Sequence, residues 1–438
     1  MPVLTAADPS ILSAPEAVRV FLQTLPKPVR LLVAVSGGSD STGLLVALAA
    51  HAGRDVALTA VTVDHRLRPE SAAEAAVVGK LCAQLDIPHV ILAWTDEKPR
   101  SGISAAAREA RYTLLCRAAV DMGATAIVTG HTLDDQLETV AMRRTRGDGW
   151  VPGHAGMADA VLLHRRHWLL RPFLRTWRED IRGFLRAAGQ GWSDDPSNGD
   201  LRYERVRTRA RLQSADATDL SDIEAAGERR RALSDCAAAL LAEQAQVHHG
   251  ALMHIPPSAL AEDAAVLRYA LAASAAVIGG REHGPASQSM DRVMDMVAAH
   301  RLDRLDRLTA GRVVFDNRRN GLFLCRENRE LPEIRAAAGE TRDWDSRFRV
   351  TNSAAEPMTI GPARVDRQEA QALFPGVPAS IALRAARGMV AAPGAVSILA
   401  PYDRFLPQFD YKLATTLAEL FGCDTFPPVP WNDSSRKR

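Results

Sequence analysis

The sequence predicts an α/β protein with a parallel-sheet, Rossmann-like domain, then a helical domain, then a small mixed α/β domain. Three observations carry this. Between Pro28 and about Val140, short β-rich runs alternate with longer helical stretches. The β-rich runs are largely apolar rather than alternating, as strands covered on both faces are. With 438 residues, 47% hydrophobic and 24% charged, the chain has the composition of a folded globular protein, and its length suits about three domains.

The elements follow in order. Arg30–Val35 is an apolar strand, and Thr42–His51 reads as a helix. Val56–Val63 is a second strand, followed by a helix over Glu70–Leu85. His89–Ala93 is a third strand, Ile103–Asp121 a helix, Thr125–Thr129 a fourth strand, and another helix starts at Leu133. In such sheets ligands sit beyond the carboxyl ends of the strands. From Leu220 to Gln246 the residues favour a long helix, with more helix at Ala259–Ala276 and Ser287–His300. Arg312–Cys325 is β-like, residues 334–347 read as a linker, and the proline-rich remainder forms the mixed domain. The expected domains are 1–215, 216–333 and 345–438.

Several function classes drop out. No apolar run approaches the roughly 18 residues of a membrane helix, and the first residues lack a signal-peptide pattern. The five cysteines are widely spaced and form no CxxC pair, which fits neither a disulfide framework nor a zinc site. They read as small buried residues in a reducing cytoplasm. A net charge of +2 alone suggests no nucleic-acid partner. That total is an average. Residues 143–211 hold fifteen arginines against eight acids, and only five of the 54 basic residues are lysines. Arginine suits phosphate contact and base stacking.

The chemistry-bearing segments fall at strand ends. Ser36, Gly37, Gly38, Ser39, Asp40 and Ser41 stand between the first strand and its helix. Glycines admit close ligand approach, and helix-start amides attract anions. Asp40 would repel phosphate unless a cation intervened, which suggests a Mg²⁺ ligand, although a Gly/Ser turn with Asp40 as helix cap is the plainer reading. Asp64 and His65 follow the second strand, placed to meet a nucleotide or simply part of a solvated loop. After the fourth strand, His131 is followed by Asp135 and Glu138, three apart on one helix face. Such a pair can hold Mg²⁺ or an ammonium group, or complement the helix dipole. Arg108 and Arg111 share a helix face and can neutralise phosphate or pair with nearby acids.

Together SGGSDS, VDHRLRPES, AREARY, GHTLDDQLET, the RTRGDG run and DDPSNGDLRYERVRTR resemble the PP-loop ATP pyrophosphatase superfamily, and within it the tRNA(Ile)-lysidine synthetase family. The resemblance is continuous over about residues 30–211 and weaker beyond. Val206, Thr208 and Thr132 stand where family members often carry Asn, an aliphatic residue and His, and Asp148 interrupts the RGxG neighbourhood.

The resemblance implies a cytoplasmic two-step ligase. It adenylates the 2-oxygen of the wobble cytidine in CAU-anticodon tRNA(Ile), then lets the amino group of free L-lysine displace AMP. Ser36–Ser41, with Asp64 and His65 nearby, would bind ATP, and Asp40 would support Mg²⁺. Arg108 or Arg111 would contact the nucleotide or reacting centre. Asp135 and Glu138 would hold lysine, with His131 beside them. Arg143, Arg146, Arg205, Arg207 and Arg209 would face the tRNA, which the two later domains would also bind. A homodimer is compatible with all of this. A PP-loop thiolase or a non-catalytic tRNA-binding protein are the rival readings, the first calling for a reactive cysteine and the second for loss of these acids.

Overall fold

The computed structural model describes residues 11–67, 70–145, 151–193, 204–212, 220–300 and 306–431. It divides into two compact units, Met1–Glu228 with Pro427–Arg438, and Arg229–Phe426.

The first unit opens with helix α1 (Ala14–Thr24), inside the expected first domain but upstream of the predicted strand–helix alternation. Its apolar residues Ala14, Ala17, Val18, Phe21 and Leu22 recur at helical spacing and are all buried. The predicted alternation then appears: β1 (Val29–Ala34), α2 (Ser39–His51), β2 (Val56–Asp64), α3 (Ser71–Gln84), β3 (His89–Ala93), α4 (Ile103–Asp121), β4 (Ala126–Thr129) and α5 (Leu133–Thr145). A short 3₁₀ turn leads to β5 (Ala160–Leu163) and β6 (His167–Leu170), then α6 (Arg178–Ala187) and α7 (Glu204–Leu212).

Within this unit the strands lie in the order β5-β6-β4-β1-β2-β3. All neighbours are parallel except β5 with β6. Burial explains why: β1 residues Leu31 to Ala34 and all of β4 are covered on both faces. The chain moves one way from β1 to β2 and β3, and the other way to β4 and β6. Ala34 therefore pairs with Val61 on one side and Thr129 on the other. The loops after β1 and β4 consequently leave the sheet side by side at the point where strand order reverses, where such folds bind ligands.

Helix α8 (Leu220–Gln244) begins in the first unit and continues into the second. The second unit is less helical than its sequence suggests. Strands β7 (Gln246–His248), β8 (Leu252–Ile255), β9 (Arg307–Ala310), β10 (Val313–Arg318) and β11 (Gly321–Arg326) form an antiparallel sheet in the order β7-β8-β11-β10-β9. Helices α9 (Ala264–Gly279) and α10 (Ser287–His300) intervene. Asp263 caps α9 by accepting from the amides of Ala265 and Val266, and Gly280 ends it in the left-handed conformation.

The expected linker at 334–347 is instead structured. It holds β12 (Ile334–Ala336) and β13 (Thr341–Trp344), with the Trp344 side chain wholly buried. The segment reads as a loop because its outward residues are charged. Arg342 and Asp343 are exposed on β13, and Asp343 pairs with Arg349 of the next strand, β14 (Phe348–Thr351). Asp345, also from this segment, is buried and takes Arg312, Arg326 and Arg347 as partners. Ion pairing there replaces the apolar pattern that signals a packed strand.

No helix among the described residues is long and apolar enough to cross a membrane. Cys325 is buried, and so are Cys82 and Cys116 inside α3 and α4, as expected, but Cys236 is exposed and Cys423 only half-buried, against the expectation for all five. Burial pushes the Cys82 and Cys116 thiols up to about 11 and about 12, so neither is a ready nucleophile.

Candidate active site

A cleft of about 1230 Å³ opens at the carboxyl ends of the first unit's strands. Ser36, Gly38, Ser39, Asp40 and Ser41 line one part of it, with His65, Arg108, Arg111, His131, Asp135 and Glu138 around the rest. Nearly every catalytic and nucleotide-binding candidate of the sequence therefore meets in one space. Gly37 does not line it, and neither does Asp64. Its carboxylate accepts from the Arg66 amide at 2.8 Å, closing a local turn.

The loop after β1 is braced by its own serines. Ser41 Oγ lies 3.1 Å from Ser36 Oγ, accepts from the Ser36 amide and donates to the Gly38 carbonyl. Gly37 adopts φ of +90°, which a side chain would resist. Helix α2 starts at Ser39 with no side-chain cap on its amides, so its N-terminus is open to an anion. The loop after β4 comes very close. A Cβ on Gly130 would lie 2.7 Å from the Asp40 carbonyl oxygen.

Arg111 supplies a cation of a particular kind. Among the described residues it has no acidic partner, and burial, reinforced by neighbouring Arg108, lowers its pKa from the ordinary arginine value. A partly buried guanidinium with no acidic partner among the described residues is suited to an incoming anion. Arg108 stacks on Tyr112, its carbon Cζ 5.2 Å from the ring centre. His65 is held edge-on to Trp94, and burial followed by repulsion from Arg111 lowers its pKa. Its buried Nδ1 has no hydrogen-bond partner among the described residues.

The carboxylates sit on α5. Asp135 Oδ2 accepts from the Thr132 amide at 2.9 Å, and Thr132 Oγ1 lies 3.4 Å from the Asp135 amide, a reciprocal helix cap. The helix cap expected at Asp40 is thus made at Asp135 instead, since α2 follows Gly38 with no side-chain cap, and Asp135 Oδ1 remains directed at a second group, Arg178. Glu138 has no such structural duty. Its side chain is only 2% exposed, and Oε1 accepts from Arg209 Nε at 2.7 Å. Burial raises the Glu138 pKa above the ordinary glutamate value despite Arg209, with Asp135 adding repulsion. His131 lines the cleft with Nδ1 2.9 Å from Thr129 Oγ1.

Sequence reasoning missed Arg178. Its Nε lies 2.9 Å from Asp40 Oδ2, its Nη2 3.3 Å from Asp135 Oδ1 and its Nη1 3.8 Å from Asp134 Oδ1. Its own amide donates to Asp134 Oδ2 at 2.8 Å. A signal was present in the sequence: an arginine at the first position of a helix opposes the helix dipole and needs carboxylates to offset it.

The tRNA-facing candidates separate. Arg143 donates to the carbonyls of Gly153 and Gly156, holding the turn after α5. Arg207 is exposed on α7, and Arg209 pairs with Glu138. Arg146 and the Arg205 side chain lie outside the described residues.

For Mg²⁺, Asp40 is the donor that fits. Its Oδ1 accepts from Ser39 and its Oδ2 from Arg178, and the described residues contain no cluster of three or more metal-ligating side chains. One carboxylate suffices for an ion that arrives on a nucleotide and keeps phosphate and water ligands.

Comparison with known proteins places this geometry in context. A PP-loop domain model matches residues 14–215. The tRNA(Ile)-lysidine synthase of Rhizobium meliloti (strain 1021) is 43% identical over 451 residues, covering 95% of this chain and 97% of that protein. The same-named protein of Mesorhizobium japonicum is 39% identical over 431 residues, covering 91% and 94%. Among solved structures, the U34-tRNA thiolase NcsA from Methanococcus maripaludis is 16% identical with a TM-score of 0.38, covering 45% of this chain and 71% of that one.

Proposed function

Because the chain belongs to the tRNA(Ile)-lysidine synthase family, we propose that the residues lining this cleft divide the two steps of lysidine formation between them. The enzyme is an ATP-dependent ligase. It joins free L-lysine to carbon 2 of the wobble cytidine in the CAU anticodon of tRNA(Ile), releasing AMP and pyrophosphate. The observation that carries the residue assignment is the cleft itself, which brings together an open helix N-terminus, an arginine with no acidic partner among the described residues, and two carboxylates.

In the first step the 2-oxygen of cytidine attacks the α-phosphorus of ATP, and the bond to the pyrophosphate oxygen breaks. The Ser36–Ser41 loop and the α2 amides bind the departing pyrophosphate, and Arg111 and Arg108 balance the charge that spreads over the phosphorus. Asp40 would hold a Mg²⁺ that neutralises phosphate oxygens when bound.

In the second step the lysine amine attacks carbon 2, and the bond to oxygen breaks with loss of AMP. Asp135 and Glu138 bind the substrate's ammonium group and orient the molecule. His131, its ring fixed by Thr129, takes the proton the attacking amine must lose. The arginine-rich stretch, including Arg207 and Arg209 on α7, meets tRNA phosphates, and both later segments contribute RNA contacts. The setting is the cytoplasm, where all three substrates are present.

The test is turnover with purified protein, ATP, labelled lysine and tRNA(Ile), with a wobble-mutated tRNA as control. Lysine incorporation and AMP release are expected only with the CAU anticodon. Incorporation that ignores the wobble base, or none at all, overturns the reading.

A further inference from the structure

The amine-binding carboxylate is already occupied by a cation of the protein. Glu138 Oε1 receives Arg209 Nε at 2.7 Å, while Oε2 is buried in the cleft with no hydrogen-bond partner among the described residues. Arg209 already neutralises this buried carboxylate, so a second cation gains less from it and is repelled by the guanidinium beside it. A lysine ammonium therefore meets an acceptor whose open oxygen faces it while Arg209 holds the other. Glu138 is fixed within α5 and nearly enclosed, whereas Arg209 is one-third exposed. Arg209 is the partner able to leave.

Where it would go is set by α7. The helix reads ERVRTRARL, with Arg207 and Arg211 exposed, and it lies in the stretch holding fifteen arginines. An RNA phosphate brought against this helix offers Arg209 a stronger, bidentate partner than the single Nε contact it makes with Glu138.

We propose that Arg209 is a gate on the lysine site, held on Glu138 until tRNA draws it to a backbone phosphate and frees the carboxylate for the lysine ammonium. The proposal rests on the reading of Glu138 as an amine-binding group. It makes lysine binding and tRNA binding mutually reinforcing, as linkage requires. It also orders the reaction, since lysine is captured in a productive position only when the cytidine it must modify is present.

The experiment measures labelled L-lysine binding by equilibrium dialysis, with a non-hydrolysable ATP analogue present and tRNA(Ile) added or withheld. In the wild-type enzyme tRNA should tighten lysine binding about tenfold or more. Arg209→Ala should bind lysine without tRNA as tightly as the wild type does with it, and tRNA should add nothing. Arg209→Lys keeps a cation on the carboxylate and should retain most of the tRNA effect, which also separates the charge from any folding defect. The Arg209→Ala enzyme should further show a salt dependence of tRNA affinity shallower by about one phosphate contact. A wild-type lysine affinity indifferent to tRNA overturns the gate, as does an Arg209→Ala enzyme that binds lysine more weakly without tRNA while retaining the wild-type melting curve. Glu138→Gln tests the underlying reading: wild-type lysine affinity in that variant removes Glu138 from the amine site. Lost lysine binding there, combined with no gain in Arg209→Ala, defeats the gate alone.

Discussion

Arg178 and Asp40, 138 positions apart in the chain, meet at 2.9 Å in the floor of the cleft. The same guanidinium reaches Asp135, so one side chain ties the phosphate loop after β1 to the acidic helix after β4. Its side chain is 14% exposed, and its three carboxylate partners range from 13% to 30%. That burial makes the network more than a surface ion pair, yet leaves enough solvent to soften the loss of a partner.

Replacing Arg178 with methionine should therefore lower stability by about 2 kcal/mol, below the roughly 3–5 kcal/mol of a fully buried pair. Both half-reactions should slow, because Asp40 and Asp135 lose the group that positions them. Urea melts and separate assays of pyrophosphate release and lysine transfer check this. Arg178→Lys should recover the stability more than the rates, since ammonium cannot span three carboxylates as a planar fork does.

Arg111 should behave in the opposite sense. It carries a charge that burial disfavours and that no described acid offsets. Arg111→Met is expected to melt at or above the wild-type temperature while adenylation falls by about a hundredfold. Calorimetry beside a pyrophosphate-release assay reads both effects, and a variant that loses stability and activity together contradicts the anion-binding role.

The contrast between these arginines marks what the sequence can disclose. The parallel sheet is legible because β1 and β4 are apolar on both faces and the helices between them have ordinary lengths. The glycine loop and the acidic turn are legible because each follows a strand end. Arg178 is not, because its place at a helix start says only that it needs acids, and the acids it meets stand at residues 40 and 135, far off in the chain. The strands at 334–344 are hidden for a related reason. Asp345 is buried against Arg312 and Arg326 from earlier in the chain and against neighbouring Arg347, so its charge reads as a surface feature.

Asp135→Asn separates capping from charge. Asparagine retains an oxygen for the Thr132 amide, so α5 keeps its start. It loses the negative charge that faces Arg178 and the lysine ammonium. Lysine transfer should become undetectable while tRNA affinity changes less than about threefold, within the range of an uninvolved surface change. Filter binding and labelled-lysine transfer decide it, and retained turnover with weakened tRNA binding reverses the assignment.

Gly130→Ala tests how closely the two loops must approach. The added methyl would lie 2.7 Å from the Asp40 carbonyl oxygen and 2.8 Å from its carbon, both backbone atoms that cannot rotate aside. A loss of about 1–3 kcal/mol is expected, together with a raised KM for ATP as the phosphate loop shifts. Gly53→Ala, whose added methyl meets nothing within 4 Å, serves as control and should leave both unchanged.

Glu138 links pH to stability and function in opposite directions. Burial holds its folded-state pKa above the ordinary value of 4.5, outweighing the stabilising contact with Arg209. Between 4.5 and the raised pKa, the folded protein binds more protons at this position than the unfolded chain, so stability declines as pH rises through that window. Above the window the ionised carboxylate carries its full cost; below 4.5 that cost is gone. Glu138→Gln removes the titration. Its melting temperature should gain on the wild type as pH rises across the window and hold that advantage at neutral pH. Lysine binding follows the reverse course, because the ammonium needs the ionised form. The wild-type KM for lysine should increase as pH falls through the same window, while Glu138→Gln, already impaired, should show no such change. A melting-temperature difference independent of pH would exclude Glu138 as the titrating group.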